Sequence, residues 1–132
     1  MAPQGLTTVP SAYDPQTTLD RLAAAIAAKG MSVIARIDHA GAAEQVGLAL
    51  RPTEVVLFGN PRAGTGLMQA VQTIGIDLPL KMLVWQDEAG KTWLSYNEPR
   101  WLAERHDLGP SVEKTLGAMT EALAALAKEA GS

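Results

Sequence analysis

The sequence predicts an α+β fold: a largely antiparallel sheet of about five strands with two long amphipathic helices on one face. Three observations carry this reading. A single crossover helix follows the first strand. The later strands come in succession, two of them joined by a hairpin signal. A stripe of apolar residues at helical spacing closes the chain. The expected order is strand, helix, four strands, helix, with a helical insertion between strands three and four.

Each element has its own signal. Leu6 to Val9 is a short β-prone run that Pro10 and Ser11 close or bend. Asp14 caps the next helix, Pro15 suits its first position, and Gly30 stops it. Leu19, Leu22, Ala23 and Ile26 form its buried stripe. Met31 to Asp38 alternates as a strand, and HAGAAEQVG (39 to 47) reads as one or two helical turns ending at Gly47. Glu54 to Phe58 is the next strand. The turn from Gly59 to Gly66 leads into a helix with Leu67, Met68, Val71 and Ile74 on its apolar side. Gly75 and Pro79 mark its end and the end of the linker after it. Lys81 to Gln86 and Thr92 to Tyr96 flank DEAGK, a hairpin turn with Gly90 in it. Pro99 to His106 forms a short helix anchored by Trp101 and Leu102. After Gly109 and Pro110, Ser111 and Val112 open the last helix, whose stripe is Val112, Leu116, Met119, Leu123 and Leu126. The apolar run Met82 to Trp85 implies burial on both sheet faces, the second covered by the helical insertion or by another subunit.

Composition bounds the function. The 132 residues suit one domain, 1 to 132, with a real core. Hydrophobic residues are 47% and charged residues 19%, far from a disordered composition. A net charge of −3 without any Lys/Arg cluster argues against nucleic acid as a partner. The absence of cysteine excludes disulfides, thiolate metal sites and a cysteine nucleophile. MAPQGLTTVPSAY has neither a basic n-region nor an apolar h-region, and the run Leu22 to Ala28 is too short to cross a bilayer. The expectation is a cytoplasmic protein with no membrane partner.

The stretch TEVVLFGNPRAGTGLM (53 to 68) is the best address for a ligand. Gly59 and Gly64 have the G-x-x-x-x-G spacing of a phosphate loop between strand and helix. Thr65 and Gly66, however, stand where that loop needs Lys and then Ser or Thr, which excludes a nucleotide triphosphatase. Asn60 and Pro61 read as cap and first helical position, so free amides near Arg62 to Gly64 are candidates to face an anion, with Arg62 as a charged fork. The architectural reading is a tight strand-to-helix turn with Asn60 as a cap.

The two histidines, His39 and His106, each precede or follow an aspartate, Asp38 and Asp107. Neighbours on a strand point to opposite faces, and no third or fourth ligand completes a metal site. His39 is the candidate for a pocket; His106 reads as a surface helix residue. Trp93, Ser95 and Asn97 share one side of the last strand, Leu94 and Tyr96 the other. No serine sits in a nucleophile elbow. Asp87 and Glu88 read as solvated hairpin charge, and Met68, Met82 and Met119 as core fillers.

The segments FGNPRAGTGLMQA, DLPLKMLVWQD and GKTWLSYNEPRWLAERH resemble the prokaryotic domain-of-unknown-function family 302. TLDRLAAAIAAKGM and ARIDHAGAAEQVGLALRPTEVVLFGNP are similar to the family's first half. The resemblance spans about Thr18 to His106, within a family-like core of about residues 6 to 128. It implies a TATA-binding-protein-like strand–helix–four-strand–helix order and often a dimer, and no established activity.

Three functional readings follow. The first is a non-enzymatic small-molecule or anion binding module using Asn60, Arg62, Gly64, Thr65, Tyr96 and His39. The second is a small enzyme with His39 as general base and Asn60 or Tyr96 orienting a substrate. The third is a structural module that pairs with itself as a homodimer. None of them calls for a metal or a cofactor.

Overall fold

Asp14 opens the first helix as its position suggests. In the computed structural model, which describes residues 3–132, its Oδ1 accepts from the Thr17 amide at 2.7 Å, and Pro15 takes the first helical position. This helix, α1 (Pro15–Ala28), follows the strand β1 (Leu6–Ser11). Gly30 ends it at φ +76°, with its amide on the Ala27 carbonyl and the Met31 amide on that of Ile26. That pair of bonds is a Schellman stop, open to glycine because L side chains resist positive φ.

Strand β2 (Ser32–Asp38) leads directly into α2 (His39–Gln45). Asp38 is its cap, accepting from the Gly41 amide at 2.9 Å, so its carboxylate serves the backbone. Strand β3 (Thr53–Gly59) precedes the helical insertion, α3 (Pro61–Ala70) and a 3₁₀ turn over Gln72–Asp77. Strands β4 (Leu80–Gln86) and β5 (Thr92–Asn97) form the hairpin, followed by α4 (Pro99–Arg105), a 3₁₀ turn over Pro110–Val112, and α5 (Glu113–Gly131).

The sheet order is β1-β5-β4-β3-β2, and every neighbouring pair is antiparallel. The fold is therefore the α+β arrangement expected, with α3 and its 3₁₀ turn inserted between strands three and four. β1 runs through Pro10 to Ser11, two residues further than its signal, because an edge strand tolerates a proline with no amide to offer. The insertion departs from a single helix ending near Ile74. Val71 leaves the helical region (φ −142°, ψ 107°), and the chain restarts as a 3₁₀ turn. β-Branched Val71 and Thr73 and then Gly75 all weaken a continuing α-helix.

Two hydrophobic clusters fill the interior, and α5 serves both. In the first, Leu19, Leu22 and Ile26 of α1 and Leu123, Leu126 and Ala127 of α5 cover one sheet face through Val56, Phe58, Met82, Val84 and Leu94. The helices run antiparallel, for Arg21 of α1 donates to the carbonyls of Glu129, Ala130 and Ser132. In the second, Leu116 and Met119 of the other half of α5 meet Leu67, Ile74, Leu102, Ala103 and Val112. α3 and its 3₁₀ turn thus belong to this second cluster. They are not the cover for the opposite sheet face, where Leu83 and Trp85 stay partly exposed.

Candidate functional site

The two clusters leave a cleft along their seam. It lies at the end of the sheet where β2 begins and β3 ends, and holds about 1000 Å³. Asn60, Pro61, Ala63, Gly64, Thr65 and Met68 of the insertion form one wall. Lys114, Thr115, Ala118, Met119 and Ala122 of α5 form another. Met31, Ser32 and Ile34 of β2, with Gly59, Leu78, Pro79 and Leu80, make the floor, and Lys29 stands at the end of α1. Ile34 sits at the irregularity in the β2–β3 register between Val33 and Ala35 and is 62% exposed. The bulge releases it from the pairing.

Among the described residues the lining carries two charges, Lys29 and Lys114, and no carboxylate. Neither lysine takes part in an ion pair among the described residues. The rest of the polar lining is Ser32, Asn60, Thr65 and Thr115.

The local geometry around Asn60 differs from a loop of free amides. The helix starts at Pro61, so Gly64 lies in its first turn, where its amide bonds the Asn60 carbonyl at 3.3 Å. The Asn60 side chain accepts from the Arg62 amide at 2.9 Å. The Arg62 and Gly64 amides are thus engaged within the chain.

The six residues singled out in the sequence divide between two places. Asn60, Gly64 and Thr65 line the cleft, and Arg62 is not part of its lining. His39 and Tyr96 border a hollow of about 670 Å³ on the uncovered sheet face, with Leu6, Thr8, Val55, Leu83, Trp85 and Ser95. Tyr96 is itself buried in the first cluster. Trp85 and Trp93 stack across strands at 6.2 Å there, and the Trp85 indole donates to Ser95 at 2.9 Å. A single histidine among these side chains has neither a partnering carboxylate nor a nucleophile in hydrogen-bond contact among the described residues.

His106 is not a surface residue. Its side chain is 8% exposed, with Nε2 at 2.5 Å from Asp77 Oδ2 and Nδ1 at 3.0 Å from the Thr73 hydroxyl. Asp77 also accepts two contacts from Arg105 Nη1, at 2.9 and 3.0 Å. This clasp ties the 3₁₀ turn to the end of α4. The partner of His106 is a residue 29 positions away, not adjacent Asp107.

Asp87 also does more than sit in solvent. It accepts from the Ala89 and Lys91 amides and from the Trp93 indole at 2.8 Å. The Trp93 bond first, then the Lys91 amide, hold its carboxyl below the usual carboxylate range. The Thr17 amide and then its hydroxyl lower that of Asp14 in the same way. Both carboxylates brace backbone at the end of the sheet away from the cleft. Among the described residues no group of three or more His, Asp or Glu is placed to hold a metal ion.

The cleft residues that sequence reading passed over are Lys29, Met31, Lys114 and the small residues of α5. A signal for the last group exists: Lys114, Ala118 and Ala122 recur every four residues beside the buried stripe, a polar and small-residue face with nothing large to cover.

A five-stranded antiparallel sheet backed by two helices, with a cleft beside an inserted helix, defines a small α+β domain with a ligand-sized opening. The chain belongs to the family described as "Domain of unknown function DUF302", matching it over residues 7–126. Its fold is similar to the crystal structure of an uncharacterized conserved DUF302 protein from Bacillus stearothermophilus, with a TM-score of 0.86 at 20% identity, covering 97% of this chain and 99% of that one. Among curated proteins it is 46% identical over 126 residues to a protein named fluoride-specific ion channel FluC 1 from Brucella suis, and equally to one named FluC 2 from Brucella melitensis. The match takes in 96% of this chain but only 50% and 47% of those two proteins. The chain thus spans about half the length of these relatives. None of its described helices is long and apolar enough to cross a membrane.

Proposed function

We propose that this domain is a non-enzymatic module that binds a small molecule in the cleft between the insertion and α5. The observation that carries the reading is the lining itself: a wide apolar surface edged by hydroxyl or amide groups and by two lysines unpaired among the described residues, which bring no carboxylate to it. Such a lining binds and orients a ligand, while proton transfer or covalent chemistry would require a base or an activated nucleophile. The names of the curated relatives add a setting. Relatives of about twice this length are named as fluoride-specific ion channels; joined to such a protein, the domain would serve it as an accessory ligand-binding part.

A thermal-shift screen of small anions and metabolites, sodium fluoride among them, tests the reading. A ligand held at a hundred times its Kd adds about 2.7 kcal/mol of stability, a rise of several degrees in Tm. The shift should vanish in Ala118→Trp, which fills the cleft from its exposed α5 wall. Stabilisation by none of the compounds, or a shift that survives Ala118→Trp, overturns it.

A further inference from the structure

We infer that the ligand of this cleft is an aliphatic monocarboxylate of medium chain length, an inference that rests on the cleft being a binding site. Three features of the lining point to that class. The first is what it lacks: among the described residues no Phe, Tyr or Trp borders the cleft, so a flat ring has no aromatic face to stack on. The second is its softness. Met31, Met68 and Met119, three of the chain's five methionines, line it. Unbranched thioether side chains adapt to a flexible chain better than to one rigid shape. Ala118 and Ala122 keep the α5 wall low, leaving a trough beside them.

The third feature is charge. Lys29 and Lys114 are exposed, unpaired among the described residues, and free of any facing carboxylate. They complement an anionic head while leaving the floor apolar. A phosphate group carries more charge and draws on a cradle of several backbone amides or a guanidinium fork in addition to lysine. Here the Arg62 and Gly64 amides are already bonded within the chain, and Arg62 stands outside the lining. Along α5, Lys114 and Ala122 are eight residues apart, about 12 Å at the helical rise. A head at Lys114 and an extended chain toward Ala122 use that length of the trough.

Isothermal titration of the intact protein with hexanoate, octanoate, decanoate and decanol tests the assignment. Affinity should rise about fourfold per added methylene, as expected for chain burial. Decanoate should bind more tightly than decanol, and the double variant Lys29→Gln/Lys114→Gln should weaken decanoate by about two- to fivefold while leaving decanol unchanged. Both lysines are exposed, so the variant keeps its fold, checked by its melting curve. Affinity independent of chain length, or equal binding of decanol and decanoate with no effect of the double variant, overturns the ligand class. So does binding to anionic lipid vesicles without binding of free decanoate. In each of those cases a ring-bearing or phosphorylated compound that stabilises the native protein but not Ala118→Trp leaves the binding-module reading intact. If no compound of any class binds, both fall.

Discussion

The two hydrophobic clusters share α5 and little else in the way they are held. The first is bolted to the sheet: Phe58, Met82, Val84 and Leu94 project from three strands whose backbones are cross-linked by continuous ladders. The second is assembled from short pieces, α3, two 3₁₀ turns and α4, none longer than ten residues. Its pieces are fastened by side chains. Asp77 clasps Arg105 and His106, and Arg100 pairs with Glu113 at the start of α5. A ladder opens cooperatively, whereas a clasp opens locally. The cleft runs between the two, so its β2 and Leu80 side is stiff and its insertion side is the one able to adjust to a ligand.

The largest test of this contrast is Leu126→Ala. Leu126 is fully buried in the first cluster, and its truncation should cost about 2–5 kcal/mol, read as a lower urea midpoint for the whole domain. Leu102→Ala in the second cluster should cost less and act locally. If both variants lowered the midpoint equally and loosened β4 and β5 alike, the two clusters would be one cooperative unit. A smaller effect sharpens the contrast from the other side. Asp77→Asn removes the charge shared by Arg105 and His106, at about 1–3 kcal/mol. Hydrogen exchange should quicken over Gln72–Asp77 and α4 while the β4–β5 amides keep their protection.

The smallest effect concerns pH and the sheet half. Asp14 and Asp87 have folded pKa values below their unfolded ones, held there by the Thr17 amide and the Trp93 indole respectively. Their contribution is complete above the ordinary carboxylate range and is lost as pH falls through the lowered folded values. Asp87→Asn and Asp14→Asn should therefore flatten the acid side of a Tm-versus-pH curve and matter little near neutrality. An unchanged acid limb would remove both carboxylates from the account.

Local signals were legible in the sequence and long-range ones were not. Asp14, Pro15 and Gly30 mark α1 because capping is settled within a few residues, and DEAGK marks the hairpin for the same reason. Strand alternation puts Leu94 and Tyr96 on one side, in the first cluster, and Trp93 and Ser95 on the other, against Trp85. Alternation does not tell which side the helices will take. Hence Asn60 and His39, joined in one expected site, stand in different hollows. The clasp at His106 was hidden because Asp77 lies in a segment whose path turns at Val71, and a single backbone break there redirects everything after it. Lys29 and Lys114 belong to different helices, and only the packing of α1 against α5 makes them neighbours of one cleft.

The last turn of α5 sets where an added polypeptide would leave the domain. Arg21 gathers the carbonyls of Glu129, Ala130 and Ser132, the Tyr13 hydroxyl donates to the Ser132 carbonyl, and the Ala12 amide bonds that of Gly131. A polypeptide spliced on after Ser132 therefore departs from the β1–α1 corner, beside Ser11 and Thr92. The cleft opens at the other end of the sheet, near Ser32 and Gly59. Such a tether leaves the mouth of the cleft clear.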